Sequence, residues 1–170
     1  MHRLPRAPRR RREGRRVGLT VAIRPARREE AEALTELAVR AKGHWGHDAA
    51  FLARARAELT VTPGDIERAL VRVAERDGEV VGFSAIDLAL DPPELVALFV
   101  EPAAIGTGAG RALLARAQEE AAAAGVAELA IESDPDAEGF YRAQGAVPAG
   151  ERRSSSTGRV LPLLRIPTAP

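Results

Sequence analysis

Residues 95–114 read LVALFVEPAAIGTGAGRALL, an apolar run followed by a glycine-rich turn and the beginning of a helix. Gly106, Gly108 and Gly110 occupy alternate positions in this turn, where the missing Cβ atoms leave the backbone amides uncovered. The amides of residues 107–111 can then point to one spot at the positive end of the following helix, where a phosphate group is the natural occupant. A flexible turn without a ligand is the alternative that these residues alone leave open.

Two well-known phosphate-binding patterns match this turn poorly. A P-loop requires Lys and then Ser or Thr directly after its last glycine, but Gly110 is followed by Arg111 and Ala112. The dinucleotide pattern G-x-G-x-x-G requires a glycine at position 111, and its first glycine should leave the strand directly. The sequence therefore predicts neither a P-loop nucleotide site nor a dinucleotide site.

Hydrophobic periodicity on both sides of the turn predicts a mixed α/β domain. The order of elements places a hairpin sheet first and a crossover helix later, which is not a Rossmann alternation. Asp77-Gly78 is a strong hairpin turn, Asp48 is a good N-cap, and residues 154–158 are predicted to be a loop. The predicted elements are a strand over 20–24, helices over 28–42 and 49–59, one or two helical turns after Thr62, strands over 70–76, 79–88 and 94–100, a helix over 111–124, a strand over 128–132, a helix over 137–144 and a strand over 160–166.

Composition narrows the class of protein further. The chain has 170 residues and no Cys, which excludes thiolate catalysis and disulfide scaffolds. Eight of its basic residues are Arg within residues 1–16, so we expect residues 1–18 to be a disordered tail and 19–167 to be the domain. A nucleic-acid or lipid arm is the alternative for this tail. The remainder is mildly acidic and has no signal peptide or membrane span, so we expect a cytoplasmic protein that binds neither nucleic acid nor membrane.

The glycine-rich turn and a second stretch together resemble the GNAT superfamily of acyl-CoA-dependent N-acetyltransferases. The family's loop, Val-x-Pro-x-x-Arg/Gln-Gly-x-Gly-x-Gly/Ala, is matched by Val100, Pro102 and the three glycines, with Ile105 in place of Arg or Gln. Residues 131–146, IESDPDAEGFYRAQGA, resemble the second signature, a strand and then a helix with Phe-Tyr near its end. The resemblance covers about residues 20–166.

This resemblance implies a sheet of about six to seven strands, mostly antiparallel, with a splayed parallel pair at its centre and about four flanking helices. Acetyl-CoA would lie between strands 94–100 and 128–132 as the co-substrate. A bulge near Leu98 or Phe99 would free one backbone amide for the thioester oxygen. The residues implied to bind the acetyl-CoA are Leu98, Phe99, Val100, Ile105, Gly106, Thr107, Gly108, Ala109, Gly110 and Arg111.

The same resemblance assigns Tyr141, the only tyrosine, to the position that protonates the departing thiolate. Packing of the Tyr141 ring beside Phe140 is the structural alternative. A base must also take a proton from the amine, and the sequence does not choose between Glu94 and Glu132, either of which could be solvated strand-end charge.

The acceptor pocket is expected at the break between the first two helices. His44, Trp45 and His47 lie in this break, and Trp45 could present its ring to a cationic amine. Alternatively, Trp45 anchors the loop and His44 caps a helix. We expect no metal site, because His44 and His47 supply only two ligands.

The function implied is acetyl transfer from acetyl-CoA to a primary amine of a small molecule or peptide, by direct attack in a ternary complex. A non-catalytic acyl-CoA-binding or sensing module is the alternative, and Ile105 is the residue that raises it. The partners expected are acetyl-CoA and the amine, with a homodimer as one option for the assembly.

Overall fold

The computed structural model describes residues 20–169, which contain seven strands and five helices. The expectation of a disordered tail over residues 1–18 falls outside this range. In chain order the elements are β1 Ala22–Pro25, α1 Ala31–Gly43, α2 Ala49–Leu59, α3 Pro63–Arg68, β2 Leu70–Arg76, β3 Glu79–Asp87, β4 Glu94–Val100, α4 Ala109–Ala123, β5 Glu128–Glu132, α5 Glu138–Ala143, β6 Val147–Arg153 and β7 Val160–Pro167.

The strands form one mixed sheet in the order β1-β2-β3-β4-β5-β7-β6. Only β4 and β5 are parallel neighbours, and they pair at just two positions, where Glu94 lies beside Ala130 and Leu95 beside Ile131. Beyond Leu95 the two strands diverge, while β4 stays paired with β3 as far as Val100. The predicted mixed fold with a splayed central pair is therefore confirmed.

Helices cover both faces of this sheet. On one face, α1 and α2 pack Leu34, Leu37 and Phe51 against Phe83 and Val73 of the sheet. On the other face, α4 and α5 pack against β3, β4, β5 and β7 through a second cluster that includes Leu114, Tyr141, Ile131 and Leu164. A ligand in the gap between β4 and β5 therefore has α1 and α2 on one side and α4 and α5 on the other.

Local sequence signals explain several of the element boundaries. The Asp48 side chain accepts a hydrogen bond of 2.7 Å from the Phe51 amide and so begins α2. Asp77 and Gly78 both adopt positive φ, 53° and 80°, which is the backbone that a two-residue hairpin turn requires. No helix within residues 20–169 has the length and apolar character needed to cross a membrane.

Three local predictions are wrong. The predicted elements do not include β6. This edge strand has seven exposed residues, so its sequence does not alternate between buried and exposed positions. The bulge in β4 lies at Val96, which has no partner in β3, and not near Leu98 or Phe99. Helix α4 begins at Ala109, two residues earlier than predicted, because Gly108 adopts φ 89° and turns the chain directly into the helix.

Candidate active site

A cleft of about 690 Å³ opens where β4 and β5 diverge. The whole of β4 forms one wall, and the glycine-rich turn, the β5–α5 segment and the α1–α2 loop form the others. Residues from all three candidate groups meet here, namely Trp45, Glu94, Leu98, Phe99, Val100, Ile105, Gly106, Gly108, Gly110, Arg111, Glu132 and Tyr141. The fold thus brings most of the sequence-predicted site residues to one place, and His44, His47, Thr107 and Ala109 are the predicted residues that do not line it.

The glycine-rich turn presents backbone amides to the mouth of this cleft. Gly106 and Gly108 have φ of 79° and 89°, and a Cβ built at either position would meet no atom within 4 Å. The amides of residues 108–111 have no hydrogen-bond partner within residues 20–169, because they belong to the first turn of α4. These amides and the exposed Arg111, which forms no ion pair with a described residue, are suited to an anion.

Thr107 contributes less to this turn than the sequence suggests. Its amide donates to the Ala104 carbonyl at 3.3 Å, and its hydroxyl donates to the same oxygen at 2.6 Å. Both donors are therefore used within the turn, so the available amides begin at Gly108 and not at Thr107. Ile105, in the position of the family's Arg or Gln, is 45% exposed at the cleft wall.

Tyr141 places a phenol at the floor of the cleft. The residue is 6% exposed, and its hydroxyl forms no hydrogen bond within residues 20–169. Its ring meets Phe140 edge-on at 5.2 Å between centroids. Burial raises the pKa of the Tyr141 phenol above its ordinary value, so the hydroxyl keeps its proton at neutral pH. The Tyr141 hydroxyl is thus protonated and has no competing partner among the described residues.

Two carboxylates face the opposite side of the sheet, where α1 and α2 lie. Glu94 and Glu132 share this face because Glu94 lies beside Ala130 and side chains two residues apart in β5 point the same way. Burial, followed by the charge of Glu132, raises the pKa of Glu94, which forms no ion pair with a described residue. Glu132 is ion-paired with Arg152 of β6. The two candidate bases therefore have different electrostatic environments.

The α1–α2 loop divides its three aromatic residues between two locations. Trp45 is 46% exposed at the rim of the cleft, and His44 contacts its ring edge-on at 5.1 Å. His47 instead stacks on Phe51, with centroids 4.0 Å apart, and accepts a hydrogen bond of 3.1 Å from Arg159 through Nε2. Trp45 therefore lies at the cleft, whereas His47 packs between Phe51 and Arg159.

His47 belongs to an ion-pair cluster centred on Asp134, which lies two residues beyond the end of β5. Lys42 donates to Asp134, and Arg159 from the start of β7 lies 3.4 Å from the same carboxylate oxygen. Burial opposes ionisation of Asp134, but hydrogen bonds from Lys42 and the Asp136 amide, with the charges of Lys42 and Arg159, outweigh it and lower its pKa. The cluster therefore ties α1, the β5–α5 connection and β7 together.

His47, Asp134 and Asp136 place potential ligand atoms within 4.8 Å of one another, a spacing compatible with a metal ion. Two cations already contact the carboxylate of Asp134, however, and Nε2 of His47 already accepts from Arg159. The Asp134 carboxylate and Nε2 of His47 are thus engaged in hydrogen bonds and ion pairs, and the Asp136 amide donates to Asp134, so the trio is better described as part of the cluster than as a metal centre.

The cluster makes stability depend on pH in a predictable direction. Burial, and then the charge of Arg159, lowers the pKa of His47, so the folded protein holds this ring neutral. The unfolded chain binds the proton more readily, so the free energy of unfolding should fall as pH decreases below about 6.5. Thermal unfolding across this range should show a shallower dependence on pH in His47→Gln. The same substitution at His44, which forms no hydrogen bond or ion pair with the cluster, is the matched control, and equal slopes for wild type and His47→Gln would contradict the assignment.

Comparison with known proteins agrees with this geometry. The family model described as an acetyltransferase (GNAT) domain matches residues 27–162. The chain belongs to the GNAT acetyltransferase family. Proteins of this GNAT family are acetyltransferases, so acetyl transfer is the general activity of the domain. No curated protein sequence matches this chain significantly.

Solved GNAT structures share the fold at low sequence identity. A GCN5-related N-acetyltransferase from Rhodopseudomonas palustris is 21% identical over 86% of this chain and 94% of its own, with a TM-score of 0.73. An N-acetyltransferase from Thermoplasma acidophilum, in complex with coenzyme A, is 17% identical over 86% of this chain and 98% of its own, with a TM-score of 0.70. A ribosomal-protein-alanine N-acetyltransferase from Brucella melitensis is 26% identical over 86% and 99%, with a TM-score of 0.62.

Sequence reasoning missed several charged residues of the GNAT cleft. Glu58 of α2 and Arg152 of β6 line it, and so do Lys42 and Asp134. Lys42 carried one usable signal, since it is the only lysine in a chain whose other basic side chains are arginines. Glu58 and Arg152 carried none, because an exposed helix and an unpredicted edge strand give no pattern that points to a pocket.

Proposed function

We propose that this GNAT domain transfers an acetyl group from acetyl-CoA to a primary amine by direct attack. The observation that carries the proposal is the continuity of three features in one cleft. The uncovered amides at the start of α4 lead into the gap between β4 and β5, and the gap leads to the Tyr141 hydroxyl, which has no hydrogen-bond partner in the described part of the chain. An anion-binding turn, an extended slot and a proton donor are what a phosphorylated thioester requires.

The residues present fit acetyl-CoA. The amides of residues 108–111 and the side chain of Arg111 would hold the diphosphate. A strand directs alternate amides to each side, so part of the β4 backbone beyond Leu95 faces the gap without a partner in β5. These groups would bind the pantetheine arm as a neighbouring strand does. The coenzyme A of the Thermoplasma structure supports this assignment.

The chemistry of the transfer follows from three groups of this chain. Glu94 accepts the proton of the acceptor ammonium, since its raised pKa makes it a stronger base than an ordinary glutamate, whereas Glu132 is ion-paired with Arg152. A backbone amide near the Val96 bulge donates to the thioester oxygen as negative charge develops there. Tyr141 donates its proton to the departing sulfur.

One experiment distinguishes this enzyme from a non-catalytic acyl-CoA-binding module, which Ile105 keeps as the second candidate. Purified protein is mixed with acetyl-CoA and a panel of primary amines, and the released thiol is measured. Amine-dependent release supports the transferase. Calorimetric binding of CoA without thiol release for any amine would favour the binding module, and no binding of CoA would contradict both.

The glycine turn provides a direct test of CoA binding. Gly108→Ala forces a residue with a Cβ to a φ of 89°, which costs about 1–2 kcal/mol and is relieved by rotating the amides away from the ligand. We expect the Kd for CoA, measured by calorimetry, to rise about ten-fold.

Gly125→Ala is the matched control for this variant. Gly125 adopts φ 81°, a Cβ there also meets nothing within 4 Å, and it lies at the opposite end of α4. Both variants should lose similar thermal stability, but Gly125→Ala should bind CoA with wild-type affinity. Equal Kd values in the two variants would remove the turn from the CoA site.

A further inference from the structure

The acceptor side of the cleft has an excess of negative charge. Around Arg152 the cleft lining carries Glu58, Glu94 and Glu132, so three carboxylates share this guanidinium. The pKa of Arg152 is raised, first by its hydrogen bond with Glu132 and that residue's charge, and further by the charges of Glu94 and Glu58. All three carboxylates therefore lie near one another around Arg152.

Only one of these carboxylates is neutralised by an ion pair. Arg152 pairs with Glu132, whereas Glu58 and Glu94 have no ion-pair partner within residues 20–169. Lys42 also lines the cleft, but its ion pair is with Asp134 and not with Glu58 or Glu94. Two carboxylates on this side are thus available to bind cations.

Charge in the cleft is divided by location. The positive end, formed by the α4 amides and Arg111, lies at the glycine-rich turn, where the proposed function places the diphosphate. The negative end lies between α2, β4 and β5. The exposed ring of Trp45 also lines the cleft and offers a face that attracts cations.

We infer that the acceptor is a diamine or a related amine that carries a second cationic group. This inference rests on the proposed function and specifies its substrate class. One ammonium group is the reacting one and meets Glu94, and the second is held by Glu58. A monoamine leaves one carboxylate unneutralised, and an acceptor with its own carboxylate is repelled.

The transfer balances with these groups. The acceptor ammonium gives one proton to Glu94, and its nitrogen then forms a bond to the acetyl carbon as the carbon–sulfur bond breaks. Tyr141 supplies the proton that the sulfur gains, and the second proton lost by nitrogen restores Tyr141 through solvent. The second ammonium of the diamine stays charged throughout, so its contact with Glu58 is kept from substrate to product.

Binding to the CoA-saturated protein tests the inference without turnover. Calorimetry compares three probes of matched length, 1,4-diaminobutane, butylamine and 4-aminobutanoate. We expect the diamine to bind about five-fold or more tightly than butylamine at low salt, and 4-aminobutanoate to bind most weakly. The preference for the diamine should decline as salt is added, because the contacts are partly exposed. Equal affinity for the diamine and the monoamine, or preference for the amino acid, would overturn the inference.

Glu58→Gln identifies the residue responsible. This variant should reduce the diamine preference in binding to about two-fold or less. Glu79→Gln, which removes one exposed charge from the β2–β3 hairpin and lies outside the cleft lining, should keep the wild-type preference. A preference retained in Glu58→Gln would reassign the second ammonium.

Thiol release with the same three amines keeps the two proposals separate. Release with butylamine equal to or faster than with the diamine leaves the transferase intact and contradicts the diamine assignment. Absence of release with every amine contradicts the transferase, while the binding comparison still decides which amine the cleft selects.

Discussion

Tyr141→Phe should lower kcat about 10- to 100-fold while leaving the Kd for CoA nearly unchanged. The substitution removes only the hydroxyl, and in the wild type this hydroxyl is protonated because burial raises its pKa. Without it, the departing sulfur must take its proton from water, which is not held in place as the hydroxyl is. Steady-state thiol release gives kcat, and calorimetry with CoA gives the Kd.

Thermal unfolding supplies the control for this variant. The Tyr141 hydroxyl has no hydrogen-bond partner within residues 20–169, so its loss should not lower the melting temperature. A reduced kcat with unchanged stability and unchanged CoA affinity is then attributable to proton transfer. Unchanged kcat would leave Tyr141 as a ring that packs beside Phe140 and nothing more.

Glu94→Gln should lower kcat/KM about 100-fold near neutral pH, because the acceptor ammonium then has no base to receive its proton. The pH dependence gives the sharper result. A base must be deprotonated to work, and the pKa of Glu94 is raised by burial and by Glu132. The wild-type kcat/KM should therefore decline on acidification at a higher pH than an ordinary glutamate would produce, and Glu94→Gln should lose this limb.

Glu132→Gln is the matched comparison. Glu132 shares the face of the sheet with Glu94 but is paired with Arg152, so its removal should have a smaller effect and keep the acid limb. Removal also lowers the negative charge beside Glu94, which should move the limb to lower pH. Loss of the limb in Glu132→Gln and its retention in Glu94→Gln would exchange the two roles.

Local chemistry made much of the fold predictable. The cap at Asp48, the turn at Asp77-Gly78 and strand β5 over Glu128–Glu132 depend on neighbouring residues and were placed correctly. Strand β6 was missed because its structure comes from pairing with β7 alone, and none of its seven residues is buried. The bulge at Val96 depends on the register with β3, which no local pattern of β4 contains.

The candidate site was likewise predictable only where it depends on neighbouring residues. The glycine-rich turn was recognisable, since its function depends on backbone exposed by adjacent glycines, although the inward bond of Thr107 was not. The cluster around Asp134 was not recognisable, because its hydrogen bond with Lys42 joins residues 92 positions apart in the chain. His47 was accordingly expected to meet substrate, whereas its hydrogen-bond donor Arg159 lies 112 positions further along the chain, in the loop before β7. Contacts of this kind depend on the assembled fold.

The divergence of β4 and β5 makes the sheet two smaller sheets joined at a short junction. Two residue pairs connect them through the backbone. Helix α4 adds to this connection, because its Leu114 belongs to the same apolar cluster as Leu95 and Ile131. The same helix carries the uncovered amides at its first turn. The position of α4 therefore affects both the separation of the half-sheets and the location of the anion-binding amides. A small displacement of this one helix would change the width of the gap and the position of its anion-binding end together.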